Sequence, residues 1–154
     1  MGLFDAIDVA GSGLSAERLR MDVTAENLAN AETTRTANGQ PYRRKEVILQ
    51  EAPNGATFGS RLASAMNPVA AAASSSSTGG GVKVAGIAAD PTPFRLKYDP
   101  GNPDANAQGY VRMPNVDSVT EMVDLISASR GYEANVTAIQ TAKQMFSQTL
   151  NILK

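Results

Sequence analysis

The 154-residue sequence has no cysteine, no histidine and no tryptophan. Without Cys or His, Ser-His-Asp and Cys-His catalysis, zinc fingers, haem ligation through those side chains, thiol redox chemistry and disulfides are all excluded. Carboxylate, lysine or hydroxyl chemistry is all that stays open to an enzyme. Excess charge of one sign is missing too. The 14 basic and 15 acidic side chains leave a net charge near −1, which argues against a general nucleic-acid binder with its basic stripe. No run approaches the roughly 20 apolar residues of a membrane span. The N-terminus has no basic segment followed by an apolar stretch, so no secretory signal peptide is expected. Position 6 is Ala, where a myristoylation signal has Ser or Thr.

Large apolar residues are also scarce. There are 24 Ala against 31 Leu, Ile, Val and Phe together, so about one residue in five can contribute substantially to a core. That is the edge of the range for a globular domain, and where those residues fall decides the fold.

They fall at the two ends. Alternating three- and four-residue steps select Phe4, Ile7, Gly11, Leu14, Arg18, Met21, Ala25 and Leu28, a heptad seam with weak points at Gly11 and Arg18. A helix over 3 to 30 is predicted, about 42 Å long, with Gly11-Ser12-Gly13 weakening its first third. At the other end Ser118-Val119-Thr120-Glu121 reads as a capping box. Beyond it Met122, Leu125, Ser129, Tyr132, Val136, Ile139, Lys143, Phe146, Leu150 and Leu153 keep the same spacing. A second helix over 119 to 154 is predicted, about 54 Å long.

The middle changes character. Thr33 to Pro41 is turn-rich, and Val47 and Leu49 alternate with polar residues in a short strand predicted within 42 to 51. Residues 53 to 81 are low-complexity Ala, Ser and Gly, and 65 to 80 is predicted to be a mobile loop. Val82, Val84 and Ile87 predict another strand with a bulge or bend at Gly86; Phe94, Leu96 and Tyr98 predict a third. Asp99 to Asp104 is a turn, and 109 to 114 returns to extended chain. Together these pieces suggest a small β unit. The expected fold is mainly α with a small β region: an N-terminal helical segment over 1–34, an extended and β middle over 35–117, and a C-terminal helix over 118–154. The two long helices are expected to pair as an antiparallel coiled coil. Ala16, Ala25, Ala128, Ala134, Ala138 and Ala142 are small enough for further helices to approach closely. Two helices alone cannot bury both stripes, so the core is expected to be completed by association.

No chemical motif rises above a structural explanation. Arg43-Arg44-Lys45 is the one basic triplet, and its favoured reading is a solvated strand edge that resists pairing with another edge. Asp99, Asp104 and Asp117 do not fit the calcium-loop spacing: a frame from Asn102 has Ala107 where Gly is needed and Met113 where Glu is needed. Gly79-Gly80-Gly81 lacks the Lys of a phosphate loop. Asn135-Val136-Thr137 is a glycosylation sequon inside a predicted helix. Glu121, Asp124 and Glu133 read as a cap and a solvated helix face. No catalytic residue, cofactor, metal, nucleic acid or small-molecule substrate is expected.

The residues nevertheless resemble a known family. Gly13 to Arg18, Asn27-Leu28-Ala29-Asn30 through Thr33 and Thr34, and then Pro41-Tyr42-Arg43-Arg44-Lys45 resemble the N-terminal signature of bacterial flagellar rod and hook proteins. Glu121 to Val123 and Ser129-Arg130-Gly131-Tyr132-Glu133-Ala134-Asn135 resemble their C-terminal signature. Tyr98 to Pro103 and Gly109 to Asp117 are similar to the short proximal-rod members in particular. The resemblance implies an axial structural subunit of the basal body, in the rod within the periplasm. It also implies partners: copies of itself, other rod proteins, and the flagellar type III export apparatus. On that basis the seam residues Phe4, Ile7, Leu14, Met21, Leu28, Met122, Leu125, Tyr132, Val136, Ile139, Phe146, Leu150 and Leu153 are expected to face neighbouring subunits. Asn27 and Asn30 are expected either to end the first helix by bonding locally to the backbone or to touch a partner. The alternative reading of the same helices is a soluble coiled-coil adaptor or export chaperone. A carboxylate-based enzyme comes third.

Overall fold

The apolar spacing at each end does form a long helix, and the two helices lie side by side. The computed structural model describes residues 3–52 and 80–152. Helix α1 runs Leu3–Ala29 and helix α2 runs Ser118–Ile152; at 1.5 Å per residue they are about 40 and 52 Å long. Between them lie β1 (Lys45–Glu51), β2 (Val82–Ala89), β3 (Arg95–Tyr98) and β4 (Tyr110–Met113). The loop predicted over 65–80 lies outside the described residues except for its last position.

α1 stays helical through Gly11-Ser12-Gly13, although each Gly costs about 1 kcal/mol relative to Ala. Tertiary contacts offset that cost. The Ser12 hydroxyl donates to Val9 O (2.7 Å) and accepts from the backbone N–H of Val82 (3.0 Å), which fixes the start of β2 to the helix. A Cβ on Gly13 would lie 2.8 Å from Asn135 Nδ2, so Gly is what lets α2 come this close. α1 ends where Asn30 Nδ2 donates back to Glu26 O at 2.9 Å, the local bonding expected of that residue.

The start of α2 differs from expectation. Asp117, not Ser118, is the N-cap: its carboxylate accepts from Val119 N (3.1 Å) and Thr120 Oγ1 (3.3 Å). Ser118 is already helical, and the Glu121 side chain points into the protein. There is no capping box, because the stronger acceptor sits one residue earlier and Glu121 is engaged elsewhere.

The helices run antiparallel in a fixed register. Asn27 meets Glu121, Glu17 packs on Gly131, and Gly13 packs on Asn135. Each step back along α1 is matched by an equal step forward along α2. The contact is made by small and polar residues, with Ala16, Val23 and Ala128 buried along it. Of the alanines expected to admit further helices, Ala16, Ala128 and Ala142 are buried within the chain, while Ala25, Ala134 and Ala138 are exposed.

The strands form two separate antiparallel ladders rather than one β unit. β1 and β2 pair from Lys45↔Ala89 to Glu51↔Val82; the register slips between Ile48 and Leu49, so that Ala85, next to Gly86, is the extra residue of a bulge. This ladder packs on α1. β3 and β4 pair from Arg95↔Met113 to Tyr98↔Tyr110. Val111 is buried, whereas Leu96, Tyr98 and Tyr110 face outward, as the two-residue period of a strand requires. The turn between β3 and β4 closes at Gly109, whose φ of 81° favours Gly.

Candidate functional site

The most constrained place in the molecule is where the end of α1, the start of α2 and the start of β1 meet. Asn27 is 1% exposed. Its Nδ2 donates to Lys45 O (2.8 Å) and Glu121 Oε2 (3.0 Å), and its Oδ1 accepts from Lys45 N (2.9 Å) and Tyr42 Oη (2.9 Å). The full capacity of the amide is therefore used, and no buried side-chain polar atom among the described residues lacks a partner. Asn27 thus neither ends α1 by local bonding nor faces outward. It joins all three elements.

Glu121, also 1% exposed, is the second centre. It accepts from Asn27 and from Arg44 Nε at 2.5 Å. Arg44 also reaches Asp124 at 3.2 Å, with Glu46 and Asp90 at 3.7 and 3.9 Å. The Glu121 hydrogen bond raises the Arg44 pKa above its ordinary value, against the lowering effect of burial. A buried carboxylate is tolerated here because a guanidinium and an amide both donate to it.

The basic triplet is consequently not a solvated edge. Arg43 stacks over Phe94, 4.6 Å from the ring centre, and donates to Asp90 O at 2.8 Å. Lys45 pairs with Glu26 at 2.5 Å. Glu121 and Asp124 are likewise not a solvated face, since both are held by Arg44; Glu133 is exposed. Asn115 bridges Arg44 N (2.8 Å) to Thr92 Oγ1 (3.0 Å), tying the link between the two ladders to β1. Thr92 donates to Asp90 Oδ1 through its backbone N–H and its hydroxyl, which lowers the Asp90 pKa.

Tyr42 is buried beside Glu26 and Glu121, and burial first, then those charges, push its pKa from 10.0 up to about 12. Folding therefore binds the phenolic proton more tightly. Its stabilising contribution is complete below pH 10 and is lost as pH rises toward 12. Ultraviolet titration should show a late tyrosine component ionising at about pH 12. Tyr42→Phe should remove that late component; its persistence would mean another tyrosine is responsible.

The residues expected to face neighbouring subunits divide between half-buried and exposed positions. Ile7, Leu14, Met21, Leu28, Leu125, Tyr132, Val136 and Ile139 are half-buried, and Met122, Phe146 and Leu150 are exposed. The side chains of Phe4 and Leu153 lie outside the described residues. Of the motif residues, Tyr42 is buried with Asn27; Leu28, Asn30, Thr33 and Arg43 are half-buried; Ala29 is exposed. Thr33 Oγ1 donates to Asn30 Oδ1 at 3.2 Å. Val9, Val119, Val123, Ile126 and Met145 add to the exposed apolar surface. Asp104 accepts from Thr34 at 2.9 Å and Asp117 is the helix cap. Among the described residues no group of three or more acids could hold a metal, and no helix is long and apolar enough to cross a membrane.

Sequence reasoning missed the partnership of Asn27, Arg44 and Glu121, which are up to 94 residues apart. One signal was available: Asn27 and Glu121 sit in segments that match a family, and Arg44 lies between them. A signature described as "Flagella basal body rod protein" matches residues 7–35, and one described as "Flagellar basal body rod FlgEFG protein C-terminal" matches residues 107–152. The chain is 49% identical to the flagellar basal-body rod protein FlgC of Bacillus subtilis, over the whole of both chains. It is 46% identical to that of Borreliella burgdorferi, over 100% of this chain and 99% of the relative. It is 44% identical to that of Salmonella typhimurium, over 99% and 98%.

Proposed function

The chain belongs to the FlgC family of flagellar basal-body rod proteins, and from that membership we propose that it forms the proximal part of the rod by packing its two long helices against those of copies of itself and of other rod proteins. It is a structural subunit, not an enzyme. Its place is the basal body. In the rod it transmits motor torque and lines the path of exported subunits, and it reaches that place through the flagellar export apparatus.

One observation carries this reading. The chain closes its helix pair with small and polar residues and leaves many large ones outside. The buried apolar residues include three alanines, while Val119, Met122, Val123 and Ile126 stay exposed. Heterologous contacts, in which one patch meets a different patch on the next subunit, extend without closing. Many of them in parallel turn a marginal monomer into a stiff shaft. A coiled-coil adaptor would instead form a discrete complex.

Ile126→Asp places a charge on this outer surface, where a folded monomer tolerates it within about 0.5 kcal/mol. The variant should therefore unfold at nearly the wild-type urea midpoint yet fail to enter purified basal bodies and fail to restore swimming to a deletion strain. Swimming cells with the variant in their rods would exclude this surface from assembly. Swimming by the deletion strain itself would overturn the rod role.

A further inference from the structure

The hairpin of β3 and β4 brings two of the chain's four tyrosines into contact. Tyr98 and Tyr110 are cross-strand partners. Tyr110 donates its backbone N–H to Asn106 Oδ1 (2.9 Å), and its C=O accepts from Asn106 N (2.9 Å), so its backbone polar groups point away from β3. The two tyrosines are therefore a non-hydrogen-bonded pair, the kind whose side chains come closest. Their ring centres are 5.3 Å apart and the ring planes lie at 66°. The Tyr98 ring also rests on Gly109, where a Cβ would come within 2.9 Å of Tyr98 Cε2, so the turn is shaped around it. Tyr98 is 64% and Tyr110 41% exposed, and neither hydroxyl has a hydrogen-bond partner among the described residues.

The composition directs one-electron oxidation to this pair. Thiols and indoles would compete for an oxidant, and the chain has neither Cys nor Trp. The six methionines take up oxygen to form sulfoxides instead. The other two tyrosines are placed differently. Tyr42 is 7% exposed and its hydroxyl donates to Asn27. Tyr132 is half-buried on α2. Tyr98 and Tyr110 alone combine access for an oxidant with a second phenol in reach.

We propose that Tyr98 and Tyr110 form an oxidative crosslinking site, which a one-electron oxidant of the haem-peroxidase class, working with hydrogen peroxide, converts into a dityrosine within one chain. Each phenol gives up one electron and its hydroxyl proton and becomes a phenoxyl radical. The two radicals join through a new carbon–carbon bond between one ring carbon ortho to each oxygen. The hydrogens on those two carbons move to the oxygens, which restores both phenols. One molecule of hydrogen peroxide takes up the two electrons and two protons and leaves as two waters. The product closes the turn between β3 and β4 covalently. A two-stranded ladder is marginal by itself, and Val111 is the one buried residue of these two strands. Closing the loop removes conformational freedom from the opened hairpin, so the oxidised chain carries a stiffer ladder.

The test treats the full chain, at low protein concentration, with a haem peroxidase and limiting hydrogen peroxide. Tyr98→Phe, Tyr110→Phe and Tyr132→Phe are treated in parallel; phenylalanine keeps the ring and the ladder. Wild type and Tyr132→Phe should show dityrosine fluorescence in the monomer band at 16.1 kDa. The tryptic peptide from Tyr98 to Arg112 should lose the mass of two hydrogens and give no fragments from breaks between its two tyrosines. Tyr98→Phe and Tyr110→Phe should each lose the monomer fluorescence. In the crosslinked monomer, exchange of the Asp99 amide, which donates to Gly109 O, should slow by roughly tenfold or more. Fluorescence confined to dimers and larger species would overturn the proposal, as would monomer fluorescence that persists in Tyr98→Phe. Methionine oxygenation without coupling in wild type, under conditions that couple free tyrosine, would overturn it as well.

Discussion

Replacing Arg44 with methionine should destabilise the chain by about 3–5 kcal/mol, the usual cost of leaving one partner of a buried ion pair uncompensated. Glu121 is almost fully buried and takes one hydrogen bond from Arg44 and one from Asn27. Methionine keeps much of the side-chain bulk but leaves the carboxylate with a single neutral donor. A domain is stable by only about 5–15 kcal/mol, so the loss is a large fraction of the whole. Urea unfolding of the isolated chain measures it. The double variant Arg44→Met with Glu121→Gln removes the orphaned charge and should recover part of the loss, which a double-mutant cycle quantifies. Equal midpoints for wild type and Arg44→Met would mean that water or another cation replaces the guanidinium and that the ion pair is dispensable. The variant should also loosen β1 from both helices, because Arg44 and Lys45 anchor that strand; hydrogen exchange at Lys45 N, which now donates to Asn27, reads this directly.

Ala128→Leu is expected to cost about 1–3 kcal/mol or somewhat more by overpacking. Ala128 is 0% exposed in the middle of the helix contact. The neighbouring contacts are already tight: a Cβ added at Gly131 would lie 3.2 Å from Glu17 Cδ. Leucine there must push the helices apart or leave its rotamer minimum. The same substitution at Ala142 should cost less, because the end of the pair can splay without disturbing Asn27 and Glu121. If the two leucine variants unfold at the same urea concentration, close approach at the middle of the pair is not what holds the helices together. If Ala128→Leu is stabilising, the seam contains a void that the buried alanines do not fill.

Parts of this molecule were legible from side-chain type and spacing. The long helices follow from apolar residues at three- and four-residue steps, the strand at β3 from alternation of Phe94, Leu96 and Tyr98, and the bulge near Gly86 from a single glycine in an apolar run. Asn30 ends α1 by the local bond expected of it. The helix contact was displaced from the heptad seam because periodicity ranks residues by hydrophobicity. The chosen contact is instead the stripe where Gly13, Ala16, Ala128 and Gly131 let two backbones approach. Glu121 was misread for a related reason. Three residues after a serine, a glutamate has the spacing of a capping box, and nothing local shows that Asp117 caps the helix or that Arg44, 77 residues away, claims the carboxylate.

By itself the sequence determined the class of the protein and the location of its apolar material. The lack of Cys and His removed most enzyme chemistry, and the concentration of large apolar residues in the two end segments left little from which to build a core elsewhere. These follow from composition and local period, which no tertiary contact can alter. Only the tertiary structure decided which polar residues are buried and which apolar ones are left outside. Burying Asn27 and Glu121 is unfavourable unless every donor and acceptor finds a partner, and those partners come from three elements far apart in the chain. Once that cluster fixes the register, small residues face inward and Val119, Met122, Val123 and Ile126 face outward, so which apolar side chains stay exposed is set by where the polar groups could be satisfied.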